Sequence, residues 1–115
     1  MADKKYYFYV LYCQDNTLYA GYTTDLKRRE ASHRSGKGAK YTKPAFRQPV
    51  RMIYAESWAS KRLAMQQEYW FKKLSRKQKE EFLAYHGQNQ LSEGQLIVVN
   101  RMNEEAIDAN TKELP

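Results

Sequence analysis

The chain predicts an α/β (α+β) domain: a small three-stranded antiparallel sheet flanked by about three helices. Three observations carry that expectation. Two short aromatic and β-branched runs flank a polar turn, a third apolar run follows near residue 50, and three segments combine helix caps with a stripe of helical period.

Tyr6 to Cys13 is a nearly unbroken apolar run and reads as a strand buried on both faces. Leu18 to Tyr22 is the second strand. The connection Gln14-Asp15-Asn16-Thr17 is of hairpin length, so the two strands are expected to be antiparallel neighbours that carry Tyr9 and Tyr19. Thr24 or Asp25 can cap the first helix and Gly36 can end it in the left-handed region. Val50 to Ser57 is the third strand, expected beside the first. Ser57 or Ser60 opens a helix to about Leu74, with Leu63, Gln67, Trp70 and Leu74 on one face and Phe71 beside them. Ser75 and Gln78 form a capping box for a last helix that buries Phe82 and Leu83 and stops at Gly87. Leu96-Ile97-Val98-Val99 reads as a late strand or a docking segment. The remainder, to Pro115, is expected to be partly disordered.

A length of 115 residues fits one domain, and no internal repeat is present. Lys and Arg number 20 against 13 Asp and Glu, a formal charge of +7. Between Asp25 and Arg51, nine basic residues face only Asp25 and Glu30, so this stretch holds an excess equal to that of the whole chain. The tail from Asn103 is acidic. A charge run is ordinarily a solvated face. This one is interleaved with Gly36, Gly38, Tyr41 and Phe46, so backbone donors and rings accompany the cations, and nucleic acid is the expected partner. Cys13 is the single cysteine, which excludes a disulfide framework and a four-cysteine zinc site and reads as a small buried apolar residue. No stretch has transmembrane length and Met1 to Lys5 shows no signal-peptide pattern, so a cytoplasmic protein with no membrane partner is expected. The loop 35–49 contains no nucleotide P-loop, and no organic cofactor site is expected.

On the first helix, Leu26, Arg29 and His33 share one face. If Leu26 anchors that face to the sheet, Arg29 and His33 are drawn inward. A buried arginine costs several kcal/mol unless an anion or hydrogen-bond acceptor compensates it, which suits a substrate phosphate. The plain alternative is an arginine that reaches water and a histidine that only packs. Glu68 lies about a quarter turn from the centre of its helix stripe, where a carboxylate at a cleft edge could bind metal. The plain alternative is an i, i+4 surface pair with Lys72.

This ordered set resembles the GIY-YIG nuclease domain from Tyr6 to about Leu83. Tyr7-Phe8-Tyr9 stands where the family writes GIY, and Tyr19-Ala20-Gly21 where it writes YIG. Arg29, His33 and Glu68 match the family's helical arginine, its frequent histidine and its metal-binding glutamate. Leu18-Tyr19-x-Gly21-x-Thr23-Thr24-Asp25 and Ser35-Gly36-Lys37-Gly38-Ala39-Lys40 are most similar to small standalone bacterial members of the YhbQ/YazA kind. The departures are Tyr7 and Phe8 for glycine and isoleucine, Ala20 for isoleucine, and Tyr22 where UvrC-like members carry a lysine. The resemblance implies a GIY-YIG nuclease-like domain over 1–87 and a C-terminal extension over 88–115.

The resemblance further implies phosphodiester hydrolysis with one divalent cation, Mg²⁺ or Mn²⁺, in structure-selective DNA repair or recombination. Glu68 would hold the metal and Arg29 the scissile phosphate. Tyr9 and Tyr19 would position and deprotonate the attacking water, with the base left open between them. His33 would relay a proton or hold a phosphate. Arg28, Lys37, Lys40, Tyr41 and Lys43 would contact nucleic acid, DNA in preference to RNA, with a protein partner supplying target choice. The alternative is a catalytically weak or inactive nucleic-acid-binding module of the same fold. A third reading is an adaptor that docks proteins through the exposed aromatics and Trp58.

Overall fold

In a computed structural model, which describes residues 4–104, the first aromatic run forms β1 (Tyr6–Tyr12) and the second β2 (Leu18–Thr23). They pair antiparallel, with Tyr9 opposite Gly21 and Leu11 opposite Tyr19. The turn between them is closed locally. Asn16 takes the left-handed backbone that asparagine tolerates, at φ 67°. Asp15 Oδ1 accepts from the Thr17 hydroxyl at 2.6 Å.

Next come α1 (Leu26–Arg34), β3 (Arg51–Trp58), α2 (Lys61–Lys72), α3 (Arg76–Tyr85) and β4 (Ile97–Arg101). A short 3₁₀ turn, Ala45–Arg47, interrupts the basic loop before β3. Asp25 caps α1, Ser60 caps α2, and Ser75 with Gln78 forms the capping box of α3.

The sheet has four strands in the order β2-β1-β3-β4, so the expectation of three is corrected. The added strand is β4, which runs parallel to β3 and makes the sheet mixed. Its sequence is short, and only Ile97, Val99 and Arg101 turn inward. Its partner lies about 40 residues upstream in register, Tyr54 opposite Ile97, and a parallel pair needs the long crossover that α2 and α3 supply. The approach to β4 is tied down by side chains. Gln88 Nε2 donates to the Ile53 and Gln95 carbonyls at 2.8 and 2.7 Å. Arg51 donates to the Leu91 carbonyl at 2.8 Å. Residues 105–115, where the tail was expected to be partly disordered, lie outside the described residues.

Strand alternation gives the sheet a core on each face. Phe8, Val10, Ala20, Ile53 and Tyr54 pack with Phe71, Phe82 and Leu83 of the later helices. Tyr9, Leu11, Cys13, Val50, Met52 and Ala55 form the other core, covered by Tyr19, Leu26 and Tyr41. A bulge reconciles the two. Val10 faces Tyr54 but Leu11 faces Met52, so Ile53 is extra and joins Tyr54 on the same side. Trp58, which the adaptor reading would use for docking, is fully buried, and its Nε1 donates to Glu56 at 3.1 Å. No helix among the described residues is long and apolar enough to cross a membrane.

Candidate active site

The helix α1 has only one leucine to bury, and polar side chains complete its docking. Glu30 accepts from the Met52 backbone N–H at 2.9 Å, and Arg34 Nε donates to the Val50 carbonyl at 2.9 Å. That mode of docking turns the Leu26, Arg29, His33 face onto β1 and β2, beneath the two tyrosines.

His33 is fully buried there. Its ring lies edge-on to Tyr9 and Tyr19, with centres 5.8 and 5.3 Å away. The Tyr9 hydroxyl is 2.8 Å from Nε2, and the Thr42 hydroxyl is 2.8 Å from Nδ1. Thr42 donates its own proton to the Ala39 carbonyl. It therefore accepts from Nδ1–H, which leaves Nε2 as the acceptor for Tyr9 O–H. Arg29 Nε donates to the same phenol oxygen at 3.1 Å, and its Nη2 donates to the Gly38 carbonyl at 3.0 Å. Among the described residues, Arg29 Nη1 makes no hydrogen bond and can meet an anion.

Burial governs the electrostatics. It pushes the Tyr9 phenol up to about 12, although the hydrogen bond and charge of Arg29 pull the other way. Tyr19 and the Glu68 charge add smaller upward pushes. Burial likewise pushes the His33 imidazole down to about 4, with the Arg29 charge adding to it. Both groups are thus neutral at pH 7.

The two tyrosines differ. Tyr9 is fully buried and its hydroxyl is committed to Arg29 and His33. Tyr19 is half-buried, and its hydroxyl makes no hydrogen bond among the described residues. Glu68 is also half-buried. Its carboxylate pairs with Lys72 at 2.7 Å, and the Lys72 ammonium lies 5.8 Å from the Tyr19 ring centre. The i, i+4 pair anticipated as the plain alternative is therefore present, and its lysine lies against the Tyr19 ring.

Among the described residues, no group of three or more His, Cys, Asp or Glu is placed to hold a metal. The available donor set is one carboxylate. That fits Mg²⁺, which keeps most of its waters and takes one or two carboxylates plus phosphate oxygens. The Lys72 side chain is half exposed and can leave Glu68 to such a cation.

Arg28, Lys37, Lys40 and Lys43 are solvent-exposed around this centre, and Tyr41 is half-buried. A polar hollow of about 300 Å³ lined by Thr23, Thr24, Asp25, Arg28, Arg29 and Ser32 opens beside the arginines. Sequence reasoning missed Thr42 and Gln48. Gln48 Nε2 donates to the carbonyls of His33 and Thr42 at 2.8 and 2.6 Å, tying the loop to α1. Neither residue lies on a periodic stripe, so no signal could have singled them out. Gly38 was noted only as part of the loop. Its role is steric, since a Cβ there would sit 2.4 Å from His33 Nδ1.

The hairpin thus presents two tyrosines to a helical arginine and histidine, with a carboxylate on a later helix. The model of the GIY-YIG catalytic domain matches residues 5–81, and the chain belongs to this family. The chain is 51% identical over 87 residues to a UPF0213 protein of Limosilactobacillus reuteri, covering 76% of this chain and 91% of that one. It is 55% identical over 83 residues to the UPF0213 protein YazA of Bacillus subtilis, covering 72% and 82%. The solution NMR structure of the protein EF2693 from E. faecalis is 52% identical. It superposes with a TM-score of 0.51 over 71% of this chain and 85% of that one.

Proposed function

We propose that the protein is a metal-dependent endonuclease that hydrolyses phosphodiester bonds in DNA, selects its target by structure, and acts in cytoplasmic repair or recombination. The observation that carries the reading is the hydrogen-bonded line from Arg29 through Tyr9 and His33 to Thr42, with the Tyr19 ring against the same His33 at 5.3 Å. An arginine held this rigidly can bind a phosphate and stabilise the charge that develops on it during attack.

Tyr19 is assigned as the general base: it would react as the phenolate, its own proton given up to solvent beforehand, and take the proton of the attacking water. A base must touch that water, and only Tyr19 of the two phenols is accessible with an uncommitted oxygen. Tyr9 is a positioning residue that orients Arg29 and His33. His33, neutral at pH 7, accepts the Tyr9 proton in a hydrogen bond and keeps the phenol oxygen turned toward Arg29. Glu68 is assigned as the Mg²⁺ or Mn²⁺ ligand. Bound there, the cation would neutralise charge on a non-bridging phosphate oxygen. Arg28, Lys37, Lys40 and Lys43 would track the DNA backbone, and a protein partner would narrow the choice of target.

The test is cleavage of single-stranded, duplex, flap and branched DNA with Mg²⁺, Mn²⁺ or EDTA, using the wild type, Glu68→Ala and Arg29→Ala. Metal-dependent cutting that both variants lose is the expected result. Undiminished cutting by Glu68→Ala removes the metal-ligand assignment. The Glu68–Lys72 ion pair favours a second reading, a binding module whose carboxylate is already neutralised. Salt-sensitive binding without cleavage of any substrate would select it.

A further inference from the structure

We infer that Phe46, Arg47, Tyr41 and Tyr19 form a stacking platform for unpaired bases that leads away from the candidate active site. The assignment of a nucleic-acid occupant rests on the reading above. Tyr19, already against His33, lies nearly parallel to Tyr41, with ring centres 5.7 Å apart and planes 20° apart. The Arg47 guanidinium carbon is 3.9 Å from the centre of the Tyr41 ring and 4.7 Å from that of Phe46. Phe46 ends the series and is 62% exposed.

The series is held rigid. Arg47 Nε donates to Asp15 at 3.1 Å, its Nη1 to the Tyr41 carbonyl at 3.1 Å, and its own carbonyl accepts from Gln14 N–H at 2.9 Å. A guanidinium pinned through Nε and Nη1 keeps its face on the Tyr41 ring, and stacking is what that face does. Arg47 therefore differs from the exposed Lys37, Lys40 and Lys43 of the same loop, which carry charge with no fixed geometry.

An isolated exposed phenylalanine is ordinary. Here it extends a fixed line of π-faces that begins at the catalytic hairpin, in the segment that holds the chain's cationic excess. Rings beside a cationic track recognise single strands, because every base has a π-face and the cations follow the backbone. A base inside a duplex has both faces covered by its neighbours. The platform thus selects a substrate with unpaired nucleotides beside the cleaved bond, such as a single strand, a flap or a loop.

The experiment uses the full chain in EDTA, so binding is read without cleavage. Fluorescence anisotropy compares a single strand of about 15 nucleotides with a hairpin duplex of equal phosphate count, each carrying 2-aminopurine as a stacking reporter. The wild type is expected to prefer the single strand and to quench its 2-aminopurine. Phe46→Ala should weaken single-strand binding about tenfold, as loss of one base stack does, with duplex binding within about twofold. Phe46→Trp should restore affinity and quenching, which also shows that the fold survives substitution there. Equal losses on both nucleic acids, equal wild-type affinity without quenching, or no binding to either would overturn the platform. Cleavage that is lost in Glu68→Ala while Phe46→Ala binds normally would sink the platform alone. Phe46-dependent binding without metal-dependent cleavage would sink the nuclease reading alone.

Discussion

The Tyr9 hydroxyl lies 2.8 Å from Nε2 of His33, and the same oxygen accepts from Arg29 Nε at 3.1 Å. One buried phenol thereby fixes both the arginine and the histidine. Tyr9→Phe keeps the ring and removes the link, so it should cost about 1 kcal/mol of stability, the worth of a typical hydrogen bond. Tyr19→Phe should leave stability nearly unchanged. In single-turnover cleavage, Tyr19→Phe is expected to lose on the order of 10³-fold, in the range of general-base removal, and to flatten the pH–rate profile. Tyr9→Phe should be slower but keep the wild-type profile. The reverse pattern would exchange the two roles.

Gly21 is required for space. A Cβ at that position would lie 2.3 Å from the Tyr9 hydroxyl and 2.5 Å from Cζ of the ring. Tyr9 is fully buried and cannot swing to solvent. Gly21→Ala should therefore destabilise by about 1–3 kcal/mol, as overpacking does, and should impair cleavage by displacing the Arg29 contact. Thermal denaturation and a cleavage assay on the same sample check both parts. A stable, fully active Gly21→Ala protein would contradict the packing.

His33 makes stability depend on pH. Its imidazole is lowered in the fold to about 4 from an ordinary 6.5, so between those values the unfolded chain binds the proton that the folded chain refuses. The contribution is complete above about pH 6.5 and is lost as pH falls toward 4. His86 is lowered by burial too and acts in the same direction. Urea titrations at pH 7 and pH 5 should show a loss on the order of 2 kcal/mol in the wild type, and His33→Gln should lose less over the same interval. An identical loss in His33→Gln would remove the assignment.

Arg101 joins β4 to the buried Glu56. Its Nη1 lies 3.5 Å from Glu56, and its guanidinium covers the Trp58 ring at 4.6 Å. Glu56 is fully buried and also accepts from Tyr54 at 2.6 Å and Trp58 at 3.1 Å. Arg101→Met should destabilise by about 3 kcal/mol, because a carboxylate without its cation is costly in the interior. Glu56→Gln combined with Arg101→Met should recover part of that loss. Denaturant unfolding of Arg101→Met, Glu56→Gln and the double variant gives the comparison, and additive losses would argue against the coupling.

Much of the hairpin, α1, β3 and the two later helices was legible, because each is written in local signals such as a turn, a cap or a stripe. Asp25, Ser60 and the Ser75–Gln78 box act as caps as those signals implied. The fourth strand was only partly legible. Ile97 to Arg101 is short, and pairing with β3 depends on a crossover whose course no local pattern encodes. The burial of Trp58 was not legible for the same kind of reason, since it rests on Leu63 and Ala64 of α2, on Tyr6 and Tyr22, and on Arg101 over the ring.

The sequence by itself determined the family, the succession of elements and the residue types that meet, because backbone propensities and fixed spacings act over a few residues. The tertiary structure decided which phenol is sealed and which is open, that Thr42 orients His33, and that Arg47 stacks on Tyr41. Those outcomes depend on burial and on contacts between segments far apart in the chain, where desolvation sets both the hydrogen-bond partners and the protonation states.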